Sequence, residues 1–273
     1  MHNVNYILAF VGIGYLCAFT KVRFLLRFFI KLSYNGKAYH GWQIQPDAIS
    51  VQEVLEKTLS TLLKTDIAIV GAGRTDTGVH ATEMFAHFDF DDNVPANFIF
   101  KLNSFLPKDI SVASIFEVKA DAHARFDATA RTYKYRVSTH KNVFNFDFAY
   151  GLQKELNVDL MNKACDILLQ YYDFQCFSKT NTDVKTYHCK LMYAQWDINN
   201  DELIFTIKAD RFLRNMVRAI VGTLVNIGLG KLELEKLHDI IKSKNRSEAG
   251  FSAPAHALYL TKIEYPERIK LTE

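Results

Sequence analysis

Cysteine, proline and glycine are all scarce in this chain of 273 residues, which holds 4, 5 and 12 of them. So little glycine and proline excludes a collagen-like repeat, and 49% hydrophobic content excludes disorder. The cysteines (Cys17, Cys165, Cys176 and Cys189) include no pair at C-x2-C spacing, so neither a disulfide framework nor a zinc ribbon is expected. Free thiols in a reducing compartment, the cytoplasm, follow from that. Charge of one sign is missing too: 33 Lys and Arg face 30 Asp and Glu, a net +3. A balance this even says nothing alone about nucleic acid, because a basic footprint depends on local clustering. Histidines lack metal spacing, with His80 and His87 seven apart and neither H-E-x-x-H nor the H-x-E with P-C-x-x-C of zinc deaminases present. No Ser or Cys stands in a nucleophile elbow. Chemistry without a metal or cofactor is the expectation.

Apolar runs are short as well. Tyr6 to Thr20 carries no charge and precedes Lys21, Arg23, Arg27 and Lys31, yet falls short of the ~20 residues that span a bilayer. It lacks the basic start and A-x-A-like end of a signal peptide. Residues 1–25 are expected to be an extension outside any folded domain. The alternative is a signal anchor, with the following basic residues holding the rest of the chain in the cytoplasm. Membrane association is not expected.

What the chain has in plenty is aromatic residues, 13% of the total, at home in half-buried sheets and in base stacking. Alternation predicts a strand at Arg27 to Tyr34, and the capping box Ser50-Val51-Gln52-Glu53 opens a helix to about Thr65, with Val54, Leu55, Leu59, Leu62 and Leu63 on its apolar face. A short strand at Ile67 to Val70, a glycine-rich loop, a strand at Thr82 to Phe90, a helix beginning near Pro95 and a strand at Ile110 to Val118 follow. The second half repeats this order. Strands are expected at Thr132 to Thr139, Thr186 to Ile198, Glu202 to Ala209 and Ala257 to Tyr265, with helices at Val158 to Gln170, Phe212 to Leu229 and Glu233 to Lys242. The expectation is an α+β protein of two ferredoxin-like or RRM-like split β-α-β halves, 26–124 and 125–273, with antiparallel sheets and a cleft between them. No residue-level repeat joins the halves, and the RNP1 pattern of an RRM is absent.

Gly71 to His80 (GAGRTDTGVH) is the most distinctive segment. A dinucleotide fingerprint would need glycine where Asp76 stands, and a phosphate-binding Walker loop would need Lys and Ser or Thr where Val79 and His80 stand. Both should lead into a helix, whereas a strand follows. In an extended loop Arg74 and Asp76 fall on one side and can pair, keeping the carboxylate ionised as a nucleophile or general base. A turn aspartate bonded to its own backbone is the plainer alternative. Basic residues cluster at Arg125, Arg131, Lys134, Arg136 and Lys141, interleaved with Tyr133 and Tyr135, which suits a phosphate-contacting strand or a solvated face. Arg211, Arg214 and Arg218, spaced i, i+3, i+7, form a stripe along the expected helix from Phe212. Three like charges on neighbouring turns repel, so an anionic ligand accounts for them better than stability does.

Six segments together resemble the TruA-type tRNA pseudouridine synthases: Tyr39 to Gln43 (YHGWQ), Ser50 to Glu53 (SVQE), Ala72 to Ala81 (AGRTDTGVHA), His123 to Arg131 (HARFDATAR), Phe212 to Gly222 (FLRNMVRAIVG) and Leu258 to Leu260 (LYL). They follow the family's order from Arg27 to Tyr265. The resemblance implies a cofactor-free homodimeric isomerase that converts uridine to pseudouridine at tRNA positions 38 to 40. It implies Asp76 as the catalytic residue, Arg74 as its paired arginine, Tyr133 and Arg218 as substrate contacts, and Leu258 as the apolar residue lining the pocket. Such chemistry needs the nucleotide out of its stack and in a closed pocket. Two features depart from the family. Its chains begin close to Arg27, so a non-AUG start at Leu25 or Leu26 would account for the extension. Ala257 stands where glycine often precedes Leu-Tyr-Leu. An RNA-binding protein that kept the scaffold and lost turnover is the alternative, against which the presence of Asp76 beside Arg74 and Tyr133 argues.

Overall fold

The computed structural model describes residues 25–180 and 184–271, and the apolar Tyr6 to Thr20 stretch lies outside them. The first half runs β1 (Leu26–Tyr34), α1 (Val51–Leu63), β2 (Val70–Gly71), β3 (His80–Phe90), α2 (Phe98–Phe105) and β4 (Ile110–Val118). The second runs β5 (Ala130–Ser138), β6 (Tyr150–Gly151), α3 (Val158–Leu168), β7 (Leu191–Asn199), β8 (Glu202–Ala209), α4 (Met216–Gly228), α5 (Lys236–Ser243) and β9 (Leu258–Glu264). The β-α-β-β-α-β order is present twice, with β6 and α5 added to the second half.

Within each half the strands lie in the same order. Spatially they run β4-β1-β3-β2 in the first and β9-β5-β8-β7 in the second. Among the described residues the sheets of the two halves join edge to edge into one of nine strands. His80 and Ala81 of β3 pair in parallel with Tyr259 and Leu260 of β9, which covers two edges that would otherwise be open. Where those strands part, the Glu83 carboxylate accepts the Ile263 N–H at 2.9 Å and pairs with Lys31 at 2.7 Å.

Local chemistry explains most of the helix bounds. Ser50 Oγ accepts the Glu53 N–H at 3.2 Å, which caps α1 and turns Val51, Leu55 and Leu59 inward. The helix expected from Phe212 begins only at Met216, because Asn215 takes a left-handed φ of 66°. Arg211 and Arg214 therefore precede α4, and the three arginines form no stripe on it. Buried residues cover α4 on all sides, so it is a core helix.

Two apolar clusters hold the halves together. One joins Phe29, Ile30, Leu55, Met84 and Phe88, the other Trp196, Phe205, Ile207, Ile220 and Leu224, and Tyr133 packs against both. Each such side chain contributes about 1.5–3 kcal/mol on burial. Cys165, Cys176 and Cys189 are free and buried, and desolvation pushes each thiol up to about 12. Among the described residues no helix is long and apolar enough to cross a membrane.

His87 makes stability depend on pH. Its Nδ1 accepts the Ala124 N–H at 3.1 Å, and burial lowers its pKa to about 4, helped by Arg27 and His123 and opposed by Asp89. The group titrates at 6.5 when free, so its contribution is intact above that pH and is lost as pH falls through 4. Urea unfolding should lose about 3 kcal/mol over this window, and His87→Gln should remove that part of the slope. Equal slopes for the two proteins would refute the assignment.

Candidate active site

Asp76 lies in the 72–79 loop between β2 and β3, and the loop is fastened on several sides. Ala72 N–H donates to Phe85 O at 2.8 Å, Trp42 N–H to Thr75 O at 3.3 Å, and Gly78 N–H to Tyr39 O at 3.3 Å. Tyr34 and Thr75 share a hydroxyl hydrogen bond of 2.8 Å below it. The Tyr39 to Gln43 segment is thus the bed on which the aspartate loop rests. At the loop's end, His80 Nδ1 accepts the Gly36 N–H, which leaves the Nε2 proton to donate to His256 O, both at 3.0 Å. Burial lowers the pKa of this imidazole, and its ring stacks on Tyr259 at 4.7 Å. His80 is a neutral strut rather than a proton carrier.

The carboxylate has a different partner from the one expected. Asp76 Oδ2 pairs with Arg218 Nη1 at 3.3 Å, across 142 positions of sequence. The loop is not extended here: Val79 N–H donates to Asp76 O at 3.1 Å, and Gly78 has a φ of 79°. Arg74 is turned to solvent, with no hydrogen bond or ion pair among the described residues. Arg218 is itself anchored, its Nε donating to Ala253 O at 2.6 Å and its backbone O accepting the Ala253 N–H at 3.0 Å. The segment that carries Ala253 crosses α4 where Gly222 leaves room for Phe251 O, and it continues to Ala255, beside Gly78, and to Leu258.

Tyr133 and Leu258 come from neighbouring strands. Leu258 is buried at the start of β9, opposite Tyr135 of β5. Tyr133 meets Phe212 edge to face at 5.2 Å. Burial pushes its phenol up to about 12, with the Asp76 charge adding and Arg131 opposing. Asp76, Arg218, Tyr133 and Leu258 are therefore drawn from both halves of the chain.

The basic strand divides in two. Arg136 is paired with Glu202 through two hydrogen bonds of 2.9 Å, and Arg131 is turned inward onto backbone carbonyls. Neither is free to meet a phosphate as the clustering implied. Lys134 and Arg125 are exposed, and Arg125 lies over the exposed ring of Phe126 at 5.6 Å.

A family pattern described as tRNA pseudouridine synthase matches residues 31–127 and again 170–266. The tRNA pseudouridine synthase A of Parabacteroides distasonis is 51% identical over 246 residues, which cover 89% of this chain and 97% of the relative. The chain belongs to the tRNA pseudouridine synthase family. The protein of the same name from Bacteroides fragilis is 53% identical over 250 residues, covering 89% of this chain and 98% of its own. At greater distance, that of Thermoanaerobacter pseudethanolicus is 40% identical over 240 residues, 86% of this chain and 98% of its own. One family pattern matches both halves, so the pattern carries a likeness that no residue repeat within the chain shows. Arg74 and Asp76 fall in its first match, Arg218 and Leu258 in its second, and Tyr133 between the two.

Proposed function

We propose that this chain is an isomerase that converts uridine to pseudouridine in tRNA, with Asp76 as the reacting carboxylate. The observation that carries the reading is the Asp76 carboxylate fixed by Arg218 at the meeting of the two halves, in a member of this family. The reaction breaks the bond from N1 of uracil to the sugar, turns the base, joins C5 to the sugar and releases the C5 proton, while N1 takes up a proton. Asp76 serves as a nucleophile on sugar or base, or as a base at the sugar, and both routes need it ionised. Arg218 holds and orients it. Tyr133, whose phenol stays protonated far above neutral pH, is suited to stack on the flipped base rather than to take the C5 proton. Leu258 lines the apolar side of the pocket.

The finer reading places the target at positions 38 to 40 of the anticodon arm, and the enzyme in the cytoplasm as a homodimer that needs no cofactor. A tRNA transcript labelled with tritium at uridine C5 tests the activity: the protein should release tritium to water, and no release would overturn the reading. A transcript labelled only at those positions tests the finer claim.

Phosphate contact falls to Arg74 rather than Arg218, since Arg218 spends Nε and Nη1 on the protein. Arg74→Ala should weaken tRNA binding and lower the slope of log affinity against log salt by about 1. Arg218→Ala should leave that slope alone and reduce turnover. Titrations at several salt concentrations check both, and a reversed pattern would return the phosphate role to Arg218.

A further inference from the structure

We propose that Arg131 is a positioning residue, setting where the Asp76 loop stands relative to Tyr133 and Arg218; this rests on the isomerase reading above. Its Nη1 donates to Ala128 O at 3.0 Å and Asp210 O at 2.8 Å, and its Nη2 to Ala72 O at 3.1 Å and Arg125 O at 2.7 Å. Those bonds use all four N–H groups of the two terminal nitrogens, each with a direction fixed by the guanidinium plane.

The four carbonyls belong to different parts of the site. Ala72 opens the loop that carries Asp76. Arg125 and Ala128 lie on the connection between β4 and β5. Asp210 follows β8 and precedes Phe212 and the start of α4, where Arg218 stands. Arg131 itself is two residues before Tyr133 on β5. One planar group thus ties together the three segments that present the carboxylate, the tyrosine and the arginine.

Its lack of a carboxylate partner fits positioning better than general stability. Arg131 forms no ion pair among the described residues, and burial lowers its pKa. A half-buried cation held only by carbonyls is a costly way to strengthen a fold. Arg27 provides the contrast, since it binds Asp89 through bonds of 2.7 and 2.8 Å while also holding Ala122 O at 3.0 Å.

The test compares wild type, Arg131→Met, Arg131→Lys and Arg27→Lys for pseudouridine formation in a tRNA transcript, well below each protein's Tm. A displacement of ~1 Å at a reacting group costs about 10²-fold, so kcat for Arg131→Met should fall by that factor while KM stays within about threefold. Arg131→Lys should fall between, because an ammonium has three donors for four carbonyls. If Met prevents folding, the Lys variant carries the comparison. Arg27→Lys should lower Tm without changing kcat. The proposal is overturned if the Arg131 variants lose Tm but keep kcat, or if KM alone rises as it would for a lost phosphate contact. A wild type that forms no pseudouridine overturns the isomerase reading as well, whereas an active wild type with unaffected Arg131 variants overturns this inference alone.

Discussion

Asp76→Asn is expected to fold, to bind tRNA at least as tightly as the wild type, and to release tritium about 10⁴-fold more slowly or worse. Asparagine has the shape of aspartate and keeps one oxygen toward Arg218, so neither the loop nor the ion-pair geometry needs to move. Only the negative charge is lost. Neither a nucleophilic attack on the sugar or base nor proton abstraction at the sugar survives that loss. The side chain is 28% exposed and its ion pair reaches solvent, so stability should change by less than about 1 kcal/mol. Removing an anion from a surface that meets phosphates favours binding, so affinity should hold or rise. Circular dichroism, tRNA titration and tritium release separate these effects. Turnover within tenfold of wild type would remove Asp76 from the chemistry, and a wild type that binds tRNA without turnover would favour the silent binding protein.

Much of the fold was legible because its signals are local. Alternation located β1, β3, β4, β5 and β8 to within about two residues, and the Ser50 capping box marked the start of α1. The misplaced start of α4 shows where that logic stops. Leu213 keeps the apolar phase of Val217 and Val221, so the pattern runs smoothly through Asn215, and nothing periodic reveals that its φ is 66°. The short strand at Ile67 to Val70 has the same cause: Ile67 and Ile69 are buried, but only Val70 and Gly71 pair with β3. Parallel pairing of β3 with β9 left no local mark at all.

The candidate site was legible by residue type and not by partnership. Asp76 stood out because an acid between glycines spoils every phosphate loop. Its ion pair with Arg218 crosses 142 positions, and no spacing rule reaches that far. The nearer Arg74 is the natural partner only in an extended loop, and this loop is turned. Arg131 shows a related limit: in sequence, a cation that will contact phosphate cannot be told from one whose donors are spent on carbonyls. Burial makes that distinction, and burial depends on the whole fold.

Gly41→Ala is expected to damage the site although it touches no reacting group, because it pushes on the loop from below. Gly41 has a φ of 90°, which L side chains rarely adopt, and a Cβ there would meet the backbone oxygen of Thr75, the residue before Asp76. Gly41 cannot retreat easily. Its own oxygen accepts the Val51 N–H at 3.2 Å at the start of α1, and Trp42 N–H is bonded to Thr75 O. Unfavourable φ and overpacking together cost about 3 kcal/mol, which for a chain of this size lowers Tm by roughly 10 °C. The cheaper way out is for the loop to lift, carrying Asp76 away from Arg218. A lift of ~1 Å would reduce kcat by about 10²-fold even at temperatures where the protein is fully folded. Gly73→Ala is the control, since it lies in the same loop with open space around its Cβ position and no positive φ. It should leave both Tm and kcat near wild type. Equal losses in the two variants would mean that the loop tolerates no added methyl anywhere, and an unimpaired Gly41→Ala would mean that the Tyr39 to Gln43 bed does not govern where Asp76 stands.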